Sequence, residues 1–349
     1  MPTGMIAGVF NKVLTHDAPG EFRAVLCDGE DRPVALFSQR WRGTGERVRF
    51  GDVVRARVRT IAEDAGGAFL EFASGEEGFL RLKSRAGITE GAIVNVEVRS
   101  EARHGKVARV SLTERASRTE SAFDNWRNVF PGAKLLIPDE APILVEDAFN
   151  DASFKSVLLP GGGQLHIERT RALTAFDVDT SGRVSAGSAG ARALKVNREA
   201  AQEMARQAVL RGLGGALVLD CIDPLNAASR DHIRDQTREA FASYGLAGAK
   251  VLKPSPLNLL EVSIPWRFMP IEDQMNMDPG ETMLFRQLRL LQRDAKANLT
   301  HFYTLALGGS AWQAYQAQKA EATQAIDAHF GGRVTVVRNP QNTSEFVKR

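Results

Sequence analysis

The chain has 349 residues, 43% of them hydrophobic and 25% charged, and a formal net charge of +3 at pH 7. These fractions are typical of folded domains, and no apolar run is long enough to cross a bilayer, so we expect a globular chain of roughly two to four modules. The two cysteines, Cys27 and Cys221, lie in unrelated contexts, which excludes a disulfide framework and a cysteine zinc site. We therefore expect no zinc, and any metal must use oxygen or imidazole ligands.

The start of the chain and its arginine content bear on location and partners. The sequence does not begin with a basic stretch followed by an apolar block, so we expect a cytoplasmic protein. Arginine outnumbers lysine, and its planar guanidinium group suits bidentate contacts with phosphate. A genome rich in G and C produces the same bias, so composition alone leaves both explanations open.

The first part of the chain has the pattern of short antiparallel strands. Residues 21–39 alternate apolar and polar positions around the polar segment DGEDRP, which predicts a β-hairpin. Between residues 51 and 112, five runs of period two are separated by turns that contain glycine, and these predict a small barrel. After the barrel, the sequence predicts a helix within the polar stretch 113–129 and a short loop between Pro138 and Pro142.

Aromatic and basic residues are unevenly placed on the predicted barrel. Phe69 and Phe79 lie on adjacent predicted strands, with Phe72 between them. On an OB-type barrel, such rings would stack on nucleic-acid bases beside a groove that follows the phosphates. The alternative is that all three are core phenylalanines. The basic residues nearby are Lys83, Arg103, His104 and Lys106.

The second half of the chain predicts a βαβα unit. Residues 156–168 read as a hairpin around PGGG, 173–179 as a strand, 191–213 as a helix, 216–223 as a buried strand and 228–245 as a second helix. The two strands flanking the first helix are expected to be adjacent and parallel, so both end at one edge of the sheet. A long amphipathic helix from about residue 281 and a small β-α-β tail follow.

Acidic residues stand where these two parallel strands end. Asp177 and Asp179 close the first strand, and Asp220 and Asp223 close the second. Four carboxylates gathered in one place need a cation, and Mg²⁺ prefers oxygen ligands and can activate water and a phosphoryl oxygen. The pattern therefore predicts metal-assisted cleavage of a nucleic-acid backbone. The alternative is structural, because Asp179 before a Thr-Ser-Gly turn and Asp223 near a helix start can act as caps.

Several other site types have no support in the sequence. His166 and His232 lie on a predicted hairpin and helix, and neither has the spacing of a zinc enzyme. No nucleophile elbow, Walker-type loop or dinucleotide-binding loop occurs, and the PGGG segment precedes a strand, which marks it as a turn.

These segments resemble the ribonuclease E/G family in order and spacing. VLLPGGGQLHIERTRALTAFDVDTSG and VNREAAQEMARQAVLRGLGGALVLDCID resemble the segments that lead into its two catalytic acids, and GAFLEFASGEEGFLRLK resembles its RNA-binding barrel. The resemblance implies a mixed α/β and β multidomain fold, with an OB-fold barrel inserted in an RNase H-like subdomain. A catalytic α/β domain resembling the DNase I fold and a small α+β C-terminal domain would follow. The implied ranges are 1–46 plus 118–155, 47–115, 156–280 and 281–349.

The resemblance also implies an activity and a set of functional residues. It implies metal-dependent endoribonuclease cleavage of single-stranded RNA to give 5′-phosphate and 3′-hydroxyl ends. Asp177 and Asp220 would hold Mg²⁺, with Mn²⁺ as a substitute, and Asp179 stands where the family has an assisting Asn. Phe69, Phe79 and Lys106 match positions for RNA contact, and Phe72 matches a further aromatic position.

The chain also departs from the family pattern. The module that senses a 5′-monophosphate should follow the barrel, and a Cys-x-x-Cys zinc link should follow LLEVS, but neither has a counterpart here. We therefore expect a shortened enzyme that cuts without sensing the 5′ end, and a homo-oligomer, if one forms, through an interface without zinc. The alternative is a weak or inactive RNA-binding protein that keeps the family scaffold.

Overall fold

The first three strands form an antiparallel meander. The structure, a computed structural model, describes residues 10–40, 47–82, 87–103, 105–116, 121–183 and 186–348. Strand β1 (Phe10–Ala18) pairs with β2 (Glu21–Asp28), and β2 pairs with β3 (Pro33–Arg40). The pairing of β2 with β3 confirms the hairpin predicted over residues 21–39.

A closed five-stranded barrel follows. Its strands are β4 (Val53–Ala62), β5 (Gly67–Phe72), β6 (Glu77–Arg81), β7 (Ile93–Ser100) and β8 (Ala108–Leu112). They close in the order β4-β5-β6-β8-β7. Alternate residues point inward and form a buried core that includes Val58, Leu70 and Val98. The predicted barrel is therefore confirmed, and its strand number is consistent with an OB fold.

The chain then returns to the first sheet. Helix α1 (Ala122–Asn128) begins after Ser121, whose hydroxyl accepts a hydrogen bond from the Asp124 amide. It is shorter than the predicted stretch 113–129, since residues 113–116 are not helical. Strand β9 (Lys134–Leu136) pairs with β1 in parallel. The barrel is therefore inserted in the sequence between strands β3 and β9 of the same sheet. Helix α2 (Ala141–Asp151) was not predicted. The segment between Pro138 and Pro142 was expected to be a loop, but Pro142 occupies the first turn of α2, where a missing N–H has no cost.

A six-stranded sheet organises the next part of the chain. Its elements are β10 (Ser156–Leu158), β11 (Gln164–Arg169), β12 (Leu173–Asp179), helix α3 (Ala189–Leu210), β13 (Gly215–Asp220), helix α4 (Ala227–Ser243), β14 (Lys250–Val251) and β15 (Leu259–Ile264). The strand order is β10-β11-β12-β13-β15-β14, and β12 and β13 are parallel. The predicted hairpin and the predicted parallel βαβ unit are both confirmed.

Helices cover one face of this sheet. Phe176, Leu217 and Leu219 are buried in one cluster with Met204 of α3 and Phe241 of α4. The residues that alternate with these strand positions are half-buried or exposed. The opposite face, which we call the open face, therefore presents the remaining strand side chains to solvent.

The C-terminal part is a small α/β unit. It contains helices α5 (Ile271–Asn276) and α6 (Pro279–Ala297), strand β16 (Tyr303–Leu307), helices α7 (Gly309–Ala317) and α8 (Lys319–Phe330), and strands β17 (Val334–Arg338) and β18 (Glu345–Lys348). The long helix and the β-α-β tail are confirmed, since β16 and β17 are parallel. Strand β18, which pairs antiparallel with β16, was not predicted. The domain boundaries and the two fold names taken from the family stay predictions.

A buried ionic network joins the first sheet to α2 and α6. Glu21 of β2 contacts Arg23 at 2.9 Å, Arg40 at 3.1 Å and Arg289 of α6, and Arg289 also contacts Glu146 of α2 at 2.7 Å. Burial alone would raise the pKa of Glu21, but the three guanidinium groups outweigh it and lower the pKa to about 2. The network therefore holds parts of the chain that are distant in sequence.

None of the helices in the described part of the chain is long and apolar enough to cross a membrane.

Candidate active site

Two carboxylates stand side by side on the open face. Asp177 on β12 and Asp220 on β13 are register partners in a parallel pair, and both side chains are exposed. Neighbouring strands lie about 4.8 Å apart, so the two side chains leave the sheet next to each other. The structure thus brings together the two acids for which metal binding was predicted.

The alternation of each strand explains this placement. Phe176 and Val178 turn toward the helices and are buried, which directs Asp177 to the open face. Leu219 is buried in the same way and directs Asp220 outward. The apolar periodicity of the strands therefore sets the direction of both carboxylates.

A buried amide holds the chain just beyond Asp220. Asn197 of α3 has 0% exposure; its Nδ2 donates to the Ile222 carbonyl at 2.9 Å, and its Oδ1 accepts from the Ile222 amide at 2.9 Å. This reciprocal pair anchors the residue two positions after Asp220 to the helix. Sequence reasoning missed Asn197, and the signal was a polar residue at an inward position of an amphipathic helix.

The other two acids are used differently. Asp179 is half-buried, and its Oδ1 accepts a hydrogen bond from the Ser181 amide at 2.8 Å. Hydrogen bonds from Ser181 lower the pKa of Asp179 below its usual value. Asp223 accepts a hydrogen bond from the amide of Asn258, which in turn accepts from Arg230 at 2.7 Å. Asp179 is held by a local turn contact, as the structural alternative predicted. Asp223 does not cap the helix that follows it, because Asn226 is the N-cap of α4, and its partner Asn258 lies 35 residues away in the chain.

The expected gathering of four carboxylates does not form. No group of three or more His, Cys, Asp or Glu side chains that could hold a metal occurs within the part of the chain that the structure describes. The adjacent carboxylates that remain as candidate metal ligands are the register partners Asp177 and Asp220. Two carboxylate ligands still fit Mg²⁺, which keeps several waters and is commonly bound through one or two carboxylates together with substrate phosphates.

An aromatic pair lies on the outer wall of the barrel. Phe69 and Phe79 are register partners on β5 and β6, with ring centroids 5.3 Å apart in an edge-to-face arrangement. Both rings are half-buried, and Arg109 is the register partner of Phe79 on β8. The barrel therefore presents two accessible rings beside a cation.

Phe72 is a core residue, contrary to the predicted RNA contact. Its side chain is 3% exposed and packs inside the barrel, where a Cβ placed on Gly78 would lie 2.6 Å from the ring Cζ. Phe69 and Phe72 are three residues apart on one strand, so they point to opposite sides of it. Of these two residues, Phe69 is therefore the one that can face a ligand outside the barrel.

A basic groove of about 700 Å³ separates the barrel from the six-stranded sheet. Lys106 is exposed there and forms an isolated β-bridge with Arg103, whose guanidinium lies 4.2 Å from the Trp266 ring centroid. Burial lowers the pKa of Arg103. Lys83 and His104, which were also named from the sequence, lie outside the described residues. The groove is lined by four basic side chains and two acidic ones, together with Leu173, Trp266 and others; the basic residues are Arg103, Lys106, Arg169 and Arg171, and the acids are Glu272 and Asp273.

The groove and the acid pair lie at opposite ends of β12. Leu173 lines the groove and Asp177 lies four residues later on the same strand, which corresponds to about 13 Å. Arg169 is held in place by a bidentate ion pair with Asp273, with both contacts at 2.7 Å. Sequence reasoning missed Arg169, Arg171 and Trp266, because only tertiary packing brings them opposite the barrel.

Part of the chain is similar to known proteins. The model of the Ribonuclease E/G family matches residues 136–264, which include all four acids at the strand ends but not the barrel. Ribonuclease E of Escherichia coli K12 is 35% identical over 119 residues, which are 34% of this chain and 11% of that protein. Ribonuclease G of Salmonella typhimurium is 33% identical over 119 residues, which are 34% of this chain and 24% of that protein. The chain thus aligns with at most 24% of the length of these two relatives.

One solved structure is a distant match. A multidomain protein with nucleic acid binding domains from Streptococcus pneumoniae aligns over 28% of this chain and 38% of its own, at 14% identity and a TM-score of 0.17. A likeness this weak carries no argument about the fold or the function.

Proposed function

We propose that the chain is an endoribonuclease that cuts single-stranded RNA, because residues 136–264 match the model of the Ribonuclease E/G family. The observation that carries the proposal is the register pairing of Asp177 with Asp220 on an open sheet face, inside the matched segment. Paired carboxylates on an accessible surface are suited to a phosphodiester substrate when a cation offsets their charge.

Asp177 and Asp220 would hold Mg²⁺, and Mn²⁺ could replace it. When bound, the ion would polarise the scissile phosphate and favour attack by water. The side chains themselves keep two carboxylate oxygens in adjacent register positions and accept hydrogen bonds from groups on the substrate. Asp179 would lie beside the phosphate, on the same side of β12 as Asp177.

The products would carry a 5′-phosphate and a 3′-hydroxyl. In this hydrolysis the oxygen of water bonds to phosphorus, the bond between phosphorus and O3′ breaks, and O3′ takes up a proton. Cleavage is proposed to be insensitive to the 5′ end, since only residues 113–121 lie between β8 and α1, where the sensing module was expected.

The substrate strand would cross the barrel before it reaches the acids. Phe69 and Phe79 offer rings for base stacking, and Lys106 offers a cation at the mouth of the basic groove. The groove begins where β12 begins. An RNA strand that lies in the groove would therefore run along the open face toward Asp177.

A cleavage assay tests this function. Fluorescent single-stranded RNAs that carry either a 5′-phosphate or a 5′-hydroxyl would be incubated with Mg²⁺, with Mn²⁺ and with EDTA. We expect cleavage with either metal, none in EDTA, equal rates on the two RNAs and product ends that a 5′-phosphate-dependent exonuclease can digest. Products with a cyclic phosphate would contradict the proposed chemistry.

A second function has one observation in its favour. Asp179 places a second carboxylate on the strand that carries Asp177, and its charge would repel a phosphate. The chain would then bind RNA without cutting it. This function requires RNA affinity that falls steeply with salt and RNA that stays intact with both metals.

A further inference from the structure

Four polar side chains form a single row across the six-stranded sheet. Ser156 on β10 is the register partner of His166 on β11, His166 is the partner of Asp177 on β12, and Asp177 is the partner of Asp220 on β13. Leu165 and Ile167 turn toward the helices, so His166 lies on the open face with the acids. The row therefore extends the acid pair by two residues.

The imidazole of His166 is held by its neighbour. Ser156 Oγ lies 2.6 Å from His166 Nδ1. Within the described residues, Nε2 makes no hydrogen bond, and none joins the ring to Asp177. When the serine hydroxyl donates to Nδ1, the neutral ring carries its proton on Nε2. The ring then offers a donor to a ligand without being ionised.

Ser156 and His166 line a cavity of about 330 Å³. It is lined by Lys155, Ser156, His166, Glu168, Ala175 and Asp177. Lys155 and Glu168 are exposed, and Ala175 is a small side chain two residues before Asp177 on β12. The cavity thus combines donors from Lys155 and His166, two carboxylate acceptors and the small apolar side chain of Ala175.

These groups select the chemistry of the ligand. A simple anion would meet the charges of Glu168 and Asp177 as well as that of Lys155. A ribose-phosphate unit matches the set better, since its phosphate can accept from Lys155 and His166 Nε2, and its sugar hydroxyls can donate to Glu168.

The cavity also lies on the path of the substrate. Leu173, Ala175 and Asp177 share one side of β12, and they line the basic groove, this cavity and the acid pair in that order. An RNA strand that runs from the basic groove to Asp177 and Asp220 must therefore cross the cavity.

We propose that this cavity binds the nucleotide adjacent to the scissile phosphate, and that His166, positioned by Ser156, contacts its phosphate. The inference rests on the proposed function and deepens it by placing a substrate subsite beside Asp177. His166 is a substrate-binding residue here, and Ser156 is a positioning residue.

The test measures binding separately from cleavage. A short fluorescent single-stranded RNA would be titrated in EDTA with the wild-type chain and with His166→Ala, His166→Gln and Ser156→Ala. We expect Kd to rise about tenfold for His166→Ala and less for Ser156→Ala, as expected for a lost hydrogen bond to a charged group. His166→Gln, which keeps an N–H donor, should recover part of the affinity. His232→Ala, at an exposed position of α4, is the matched control and should leave Kd unchanged.

Kinetics and salt dependence give two further readouts. With Mg²⁺, His166→Ala should raise KM with little change in kcat. Lys155→Gln should lower the slope of log affinity against log salt by about one, as for a lost phosphate contact. Thermal melts of each variant show whether the fold is intact.

The outcomes separate the two hypotheses. Unchanged Kd and KM in a folded His166→Ala variant would overturn the subsite, whether or not the wild type cuts RNA. If the wild type cuts no RNA but His166→Ala still weakens binding tenfold, the subsite is supported as an RNA-binding site and the proposed nuclease function fails.

Discussion

Asp177 and Asp220 are direct register partners on adjacent parallel strands, and both carboxylates lie on the sheet face that α3 and α4 leave uncovered. This relationship joins two residues that are separated by a long helix in the chain. Because each acid follows an inward-pointing residue, Phe176 or Leu219, the core of the sheet determines where the carboxylates point. The site is therefore built by packing on the opposite face.

The residue at position 179 should tune the cleavage rate. Asp179→Asn removes one negative charge near the expected phosphate and supplies an amide donor that a carboxylate lacks. The carbonyl oxygen of the new side chain can still accept from the Ser181 amide, so the turn should be kept. We expect faster cleavage at unchanged RNA affinity, measured as kcat on a fluorescent RNA. Slower cleavage in a folded variant would show that the third carboxylate contributes to the site.

Substitution of Phe69 should affect RNA binding, whereas substitution of Phe72 on the same strand should affect stability. Phe69→Ala should weaken RNA binding by about 1–3 kcal/mol, the range for stacking on one base. Phe72→Ala should lower the free energy of unfolding by about 3–5 kcal/mol, because it opens a cavity in the barrel core. Urea titrations and anisotropy titrations measure the two quantities. A loss of RNA affinity in a stable, folded Phe72→Ala variant would contradict the core assignment.

Asn197 should matter for both stability and rate. Asn197→Ala removes two hydrogen bonds to Ile222 in a buried place, and we expect the free energy of unfolding to fall by about 1–3 kcal/mol. Because the anchored residue lies two positions after Asp220, kcat should also fall while RNA affinity is kept. Asn150→Ala, at the exposed end of α2, is the control. Equal kcat in Asn197→Ala and wild type, measured where both are folded, would contradict the positioning role.

The buried network should make stability depend on pH in the acid range. The pKa of Glu21 is lowered from 4.5 to about 2 in the folded chain. The contribution of Glu21 to the free energy of unfolding is therefore complete above about pH 4.5 and is lost as the pH falls toward 2. Glu21→Gln leaves Arg23, Arg40 and Arg289 without that carboxylate and should cost about 3–5 kcal/mol at neutral pH.

Urea unfolding across this pH range checks the prediction. The difference in unfolding free energy between wild type and Glu21→Gln should narrow as the pH falls below 4.5. Glu114→Gln, at an exposed position, should leave the pH profile unchanged. A difference that stays constant down to pH 2 would show that the pKa of Glu21 is not lowered in the folded chain.

The acid pair was predictable from the sequence because it depends on local rules. Apolar alternation marks β12 and β13, and a strand-helix-strand order makes them parallel neighbours. The pairing of Ser156 with His166 was also within reach, since a hairpin that closes around PGGG brings these two positions opposite each other. It was missed because no known spacing motif contains it.

Other features depend on information that no short stretch contains. Phe72 was assigned to RNA contact by family resemblance, but the direction of its side chain depends on the strand phase, which places it inside the barrel. The groove residues Arg103 and Trp266 are distant in sequence and meet only when the barrel packs against the sheet. The side chain of Asp223 likewise bonds to Asn258, which lies in the connection between β14 and β15.

The measurement that tests the central claim most directly is cleavage of single-stranded RNA with Mg²⁺ by the wild type, Asp177→Asn and Asp220→Asn. Asp327→Asn, which makes the same charge change at an exposed position of α8, is the control. We expect the wild type and the control to cut, and both site variants to lose at least about a hundredfold in rate while they keep their RNA affinity. Wild-type rates in both folded site variants would contradict the assignment of these two carboxylates.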